Sequence, residues 1–332
     1  MAKDYEIREY REGDEEGIVA CFNDVFGDAG DDGRSSARDL ASWRWAFAEN
    51  PAGRRIFVAE HTGRIVAQCA AWPMRALLDG RETVFGQGVD SMTHPEHRRG
   101  LKRPGLFVNT AQEFFARYGG VEADAIHYGL PIEQAFKMGV TFLKYEVVRT
   151  QTVLGLAGFE APDRWPEEVE RLDAFDEQLR WLFDRASGEF GAAIVRDAAH
   201  AEWRFSRPGV AYERLGVRDA DGILRGLAIY RRGHLAGLDD VGCVCDWLVP
   251  PDEPEVGELL ERALRCLAAR DGVAGLAQFV PDWSHWFGWF QDRGWRVHPS
   301  VYTMCIRTWS RPHGAAWMRR HWWYTLADTD LV

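Results

Sequence analysis

One succession of patterns occurs twice along the chain: a hairpin, a strand, a loop, a long amphipathic helix, a strand, a short helix closed by glycine, and a further strand. In the first half the hairpin turns at Asp79-Gly80, and the long helix carries Phe107, Thr110, Ala111, Phe114 and Phe115 on one face. In the second half the turn is Asp219–Gly222, and the helix shows Val256, Leu259, Leu260, Ala263, Leu264 and Leu267. Phe136-Lys-Met-Gly139 and Gln291-Asp-Arg-Gly294 fall at equivalent points. The pattern predicts an internal duplication of one α/β unit. A length of 332 residues agrees, at about 100–200 residues per domain. The Gly-, Ala- and Pro-rich stretch 155–166 reads as the start of a linker, and 169–183 as a helix following it. The expected division is 1–154, a linker and helix at 155–190, a second domain at 191–309, and a Trp- and Arg-rich tail at 310–332 that docks on the rest.

Charge narrows the function classes. Forty Lys and Arg against 51 Asp and Glu leave a net charge of −11, which disfavours non-specific nucleic-acid binding. No apolar run approaches the ~20 residues that span a bilayer, and the first residues lack an apolar signal segment. A cytoplasmic protein with no membrane partner, monomeric or homodimeric, is expected. The six cysteines are scattered, and Cys243-x-Cys245 has no second ligand pair nearby, so free thiols and no metal are expected.

Against this acidic background one segment is basic. Residues 96–105 hold Arg98, Arg99, Lys102 and Arg103 against Glu96 alone, a local charge of +4 − 1 = +3. They lie between a strand ending at Thr93 and a helix, with glycines at 100 and 105. A helix N-terminus offers unpaired N–H groups and partial positive charge, and glycine lets the backbone approach an anion. Strand, basic Gly loop and helix together hold a phosphate or diphosphate. The segment matches neither a P-loop nor a Rossmann fingerprint. The corresponding second-half loop, Pro250-Pro-Asp-Glu-Pro-Glu-Val-Gly257, has three acids and no base, and would repel a diphosphate.

Thr93-His-Pro-Glu-His-Arg-Arg-Gly100 with its following helix resembles motif A of the GNAT (Gcn5-related) N-acetyltransferases. Tyr5–Asp14 resembles the first strand and helix start of that family, and Gly129-Leu-Pro131 through Lys137-Met-Gly139 its late Pro…Lys-x-Gly segment. The resemblance implies two GNAT-like α/β domains in tandem, each a central mixed β-sheet flanked by helices, with acetyl-CoA as cosubstrate of the first. It assigns CoA binding to Met92, Thr93, Arg98, Arg99, Gly100, Leu101, Lys102, Arg103 and Gly105. The Met92 amide would polarise the thioester. Arg98-Arg-Gly100 is one residue shorter than the family loop, and Phe136 stands where the family often places a tyrosine acid. Tyr128 and Tyr145 are the substitutes, with Asp90 and His94 as candidate bases. The expected reaction is direct acetyl transfer to a small-molecule amine. The alternatives are an aminoacyl or peptidyl transferase of the tandem kind, and a non-catalytic acetyl-CoA-binding regulator. The acidic stretch Asp28–Asp32 offers attraction for a cationic acceptor, and the 15 tryptophans offer pocket walls or core.

Overall fold

The computed structural model describes residues 4–27, 37–98 and 104–332. Its contacts divide the chain into two compact units, Met1–Arg75 with Thr83–Val148 and Met304–Ala315, and Ala76–Glu82 with Arg149–Thr303 and Ala316–Val332. Among the described residues, no helix is long and apolar enough to cross a membrane.

The first unit is built on strands β1 (Glu6–Glu9), β2 (Arg55–His61), β3 (Arg64–Leu78), β4 (Arg81–Thr93) and β5 (Asp124–Gly129), side by side in that order. β1, β2 and β3 are antiparallel, whereas β4 and β5 run parallel, so the sheet is mixed. Helices α1 (Glu15–Phe26) and α2 (Leu40–Trp43) follow β1, and α2 runs on into a π-helical turn over Arg44–Ala48. Asp39 caps α2 by accepting the Ser42 amide at 2.8 Å. Helix α3 (Leu106–Tyr118) makes the β4–β5 crossover. Its Val108, Ala111, Phe114 and Phe115 pack with Phe57, Cys69, Ala71 and Leu143. Burying such a stripe supplies most of the stability of a helix this short.

Helix α4 (Glu133–Phe142) runs through Gly139, where the sequence predicts a stop. The glycine answers a packing need there: a Cβ on it would lie 2.1 Å from the Tyr145 ring. β6 (Glu146–Ala157) then carries the chain into the second unit and includes 155–157, expected as linker.

In the second unit β7 (Val169–Arg171) replaces the start of the expected helix, because Val169 and Arg171 pair with Val217 and Leu215. Only α5 (Gln178–Ala186) is helical in that stretch, and β8 (Ala192–Ile194) and α6 (Ala198–Arg204) are short elements that the periodicity does not reveal. β9 (Glu213–Arg218), β10 (Leu224–Leu235) and β11 (Leu238–Leu248) form a meander, followed by α7 (Pro254–Asp271), β12 (Gly275–Gln278) and α8 (His285–Asp292). The sheet order is β6-β12-β11-β10-β9-β7, with β11 and β12 parallel. β13 (Arg296–Thr308) follows, and its last residues return to the first unit, where Cys305–Thr308 pair antiparallel with Gly129–Ile126 of β5. The units are therefore interleaved in sequence, unlike the contiguous expected division. Helix α9 (Ala315–His321) leads to a tail in the second unit with Trp322, Trp323, Tyr324 and Leu326 buried.

Candidate functional site

In the first unit β4 and β5 pair from Val84↔Asp124 to Gln87↔Tyr128, and there the pairing ends. β4 continues to Thr93, so the two strand ends form a fork. Asp90 lies just beyond it with a φ of +49°, a left-handed conformation that a non-glycine residue adopts only when its surroundings hold it. Among the contacts that hold it here, Gln68 Nε2 donates to the Asp90 carbonyl at 3.0 Å, and the Asp90 carboxylate is ion-paired with Arg38. Arg38 is fixed in turn. Asn23 accepts its amide at 2.8 Å and donates to its carbonyl at 3.0 Å, and the guanidinium lies 4.7 Å from the Phe22 ring centre.

The fork opens into a cavity of about 240 Å³. Ser91, Met92 and Thr93 line it from β4, and Val25 and Phe26 from α1. Ile132, Ala135, Met138 and Phe142 add an apolar wall along α4. Gly105, Leu106, Phe107 and Val108 form its end at the start of α3. Gly105 supplies no side-chain cap, so the first amides of α3 have no acceptor within the helix and face the cavity end. Arg98 also lines the cavity, its Nε donating to the Thr93 carbonyl at 2.8 Å. Thr93 is 8% exposed, and its Oγ1 has no hydrogen-bond partner among the described residues. An apolar channel thus ends at uncapped amides, a guanidinium and a buried hydroxyl, an arrangement that suits a thin chain carrying an anionic head.

Of the expected CoA-binding residues, the structure gathers Met92, Thr93, Arg98 and Gly105 around this cavity. Arg99, Gly100, Leu101, Lys102 and Arg103 lie outside the described residues, as does the acidic stretch 28–32. Neither expected tyrosine is among the lining residues. Tyr128 is buried at the fork, opposite Gln87 on one side and Ile306 on the other. Tyr145 packs on Gly139 and Phe115, and burial, with Cys69 and Cys305 nearby, pushes its phenol well above the ordinary range. Several of the tryptophans are core residues. Trp45 and Trp72 meet edge to face at 5.3 Å, and Trp286 and Trp289 belong to the core of the second unit.

A buried cluster of the first unit has no sequence signal beyond its residue types. Asp124 is fully buried, accepts from Arg55 Nη2 at 2.9 Å, and has its carboxylate 3.1 Å from His127 Nε2. Burial pushes the His127 imidazole below its usual range against the pull of Asp124. For Asp124, burial acts upward, but the neighbouring His127 and Arg55 leave it low. The cluster anchors the start of β5; a Cβ on Gly86 would meet the His127 ring at 2.4 Å.

The model of the acetyltransferase (GNAT) domain family matches residues 6–118, from β1 to the end of α3. Residues 6–118 are thus similar to a GNAT acetyltransferase domain. Solved structures extend the fold likeness over nearly the whole chain. A protein of unknown function from Enterococcus faecalis V583, described as a probable N-acyltransferase, superposes with a TM-score of 0.63 at 12% identity, covering 95% of this chain and 74% of that one. Saccharomyces cerevisiae N-myristoyltransferase with bound myristoyl-CoA gives 0.60 at 13%, covering 92% and 82%. A GCN5-related N-acetyltransferase from Anabaena variabilis ATCC 29413 gives 0.65 at 10%, covering 92% and 73%. No curated protein matches the sequence. At these identities the likeness is one of fold: two GNAT-like domains in tandem, each a mixed sheet flanked by helices. The second GNAT-like unit repeats the fork, since β11 and β12 pair in parallel from Gly242↔Leu276 to Val244↔Gln278 and β11 then runs on alone to Leu248.

Proposed function

We propose that the protein is an acyl-CoA-dependent N-acyltransferase that moves an acetyl group from acetyl-CoA to a small-molecule amine in a ternary complex. The observation that carries this reading is the β4–β5 fork, whose apolar cleft ends at the uncapped amides of α3 beside Arg98. The description of the matched family supports acetyl as the donor group. In this reading the α3 amides, Arg98, Thr93 and Gly105 hold the diphosphate together with Arg99, Gly100, Leu101, Lys102 and Arg103. The pantetheine chain lies along Met92 and α4, and the Met92 amide polarises the thioester carbonyl, lowering the cost of the oxyanion.

The amine must lose a proton and the thiolate must gain one. Asp90 takes the ammonium proton through solvent, and Arg38 keeps its carboxylate aimed. Of the two tyrosines Tyr128 is the better proton donor, because it stands at the fork, whereas Tyr145 serves packing. The placement of both tyrosines away from the cavity lining supports a second reading, an acetyl-CoA-binding regulator without turnover. Release of free thiol from acetyl-CoA in the presence of a panel of amines separates the two. The enzyme reading requires amine-dependent thiol release, and tight binding without release for any amine sinks it. Longer acyl-CoA donors in the same assay fix the chain length.

A further inference from the structure

We infer that the turn leading out of β4 is a binding site for a first-row transition-metal ion, held by His94, Glu96 and His97. Each offers one ligand atom, and the three atoms lie within 4.8 Å of one another. The local backbone explains the convergence. Pro95–His97 is a single 3₁₀ turn, in which side chains three residues apart stand on one side, so His94 and His97 share a face. Their rings are 5.8 Å apart. Two imidazoles and one carboxylate form a donor set suited to Zn²⁺ or Co²⁺ and poorly suited to Mg²⁺ or Ca²⁺, which prefer all-oxygen shells.

Outer partners already orient both rings as metal-ligating histidines require. His94 Nε2 faces the Asp24 carboxylate at 3.6 Å, and His97 Nδ1 is 3.1 Å from the Tyr5 hydroxyl. The other nitrogen of His94, Nδ1, stands 4.0 Å from Glu96 Oε2 and accepts the Glu96 amide at 3.3 Å, a weak contact that a metal bond at Nδ1 replaces. Bonds of about 2.0–2.2 Å draw the three ligand atoms together by roughly 1 Å. The Glu96 side chain, 74% exposed, supplies that movement. His97 also lines the cleft, so a bound cation adds positive charge beside Arg98.

The test uses the full chain stripped with a chelator and titrated with Co²⁺ alone, followed by visible absorption, and with Zn²⁺ alone, followed by calorimetry. One equivalent of each is expected to bind. Glu96→Gln is expected to weaken binding about ten-fold or more, His94→Gln to abolish the cobalt spectrum, and Asp24→Asn to weaken binding about 10- to 100-fold. The Glu96 variant alters an exposed side chain, so it remains informative if His94→Gln fails to fold. Absence of a cobalt spectrum in the wild type, or unchanged affinity and stoichiometry in Glu96→Gln, overturns the site. No donor or acceptor is present, so these outcomes are independent of whether acyl-CoA binds.

Discussion

Each unit contains a fork between two parallel strands, and the two forks are finished in opposite ways. In the first, Asp90 just past the fork pairs with Arg38, the facing helix α3 begins at an uncapped glycine, and an apolar cleft with a basic end remains open. In the second, Asp246 just past the fork is held by Arg196 at 2.9 Å and by Thr325 Oγ1 at 2.8 Å, and Arg196 also binds Asp328 of the tail. All three charged groups there are at most 1% exposed. At the start of the facing helix α7 stands Glu253, buried and bridged to Arg185 and Arg225. The same backbone device is thus open and basic in one copy, and locked by buried charge pairs with an acid at the helix start in the other. A parallel fork creates room for a ligand, and the side chains at the helix start and fork decide whether that room is kept for an anion or converted into core.

Six perturbations follow, and the first four test this contrast. The largest effect falls on the locked fork. Arg196→Ala leaves Asp246 and Asp328 buried without their cation, and urea unfolding should show a loss of about 3–5 kcal/mol. A loss below about 1 kcal/mol would mean that the lock is dispensable. At the open fork, Asp90→Asn should lower the rate of acyl transfer about a hundred-fold with acetyl-CoA affinity retained, measured by thiol release and calorimetry. Arg98→Glu should reverse that split, weakening acetyl-CoA roughly 10- to 100-fold through one lost charged contact. Glu253→Gln, at the other helix start, should leave that affinity unchanged.

Gly139→Ala forces a methyl into the Tyr145 ring and should cost about 1–3 kcal/mol of stability in thermal denaturation. The smallest effect is a pH dependence. His127 is held below its unfolded value, so below about pH 6.5 the unfolded chain binds a proton that the folded one refuses. Asp124, also held low, acts in the same direction further into acid. Stability should therefore fall as pH drops from 7.5 to 5, and His127→Phe should flatten the upper part of that slope.

The open fork was the more legible of the two in sequence. The run of like charges at 98–103, the glycines and the helix after Gly105 are local features, and a local pattern suffices to mark an anion site. Asp90 could be placed on its strand, but its partner Arg38 lies 52 residues away and carries no periodic signal. The locked fork depends on Arg196, Asp246 and Asp328, which are brought together over separations of 50 and 132 residues. Only the acidic loop before α7 was visible. Gly139 illustrates a second limit, since a helix-ending glycine and a glycine under an aromatic ring read alike in one dimension. The interleaving of the units escaped for a related reason: β6 and the end of β13 read as strands, but a strand's own residues do not say which neighbour it pairs with. His94, Glu96 and His97 show no metal-ligand spacing in one dimension, because the 3₁₀ turn at Pro95–His97 that gathers them is not visible in the sequence.

The most direct measurement is a crystal structure of the full chain with acetyl-CoA. The account predicts the diphosphate over the Leu106 and Phe107 amides beside Arg98, with the thioester alongside Met92. Density for the diphosphate at the start of α7, or none between the ends of β4 and β5 at saturating acetyl-CoA, would contradict it.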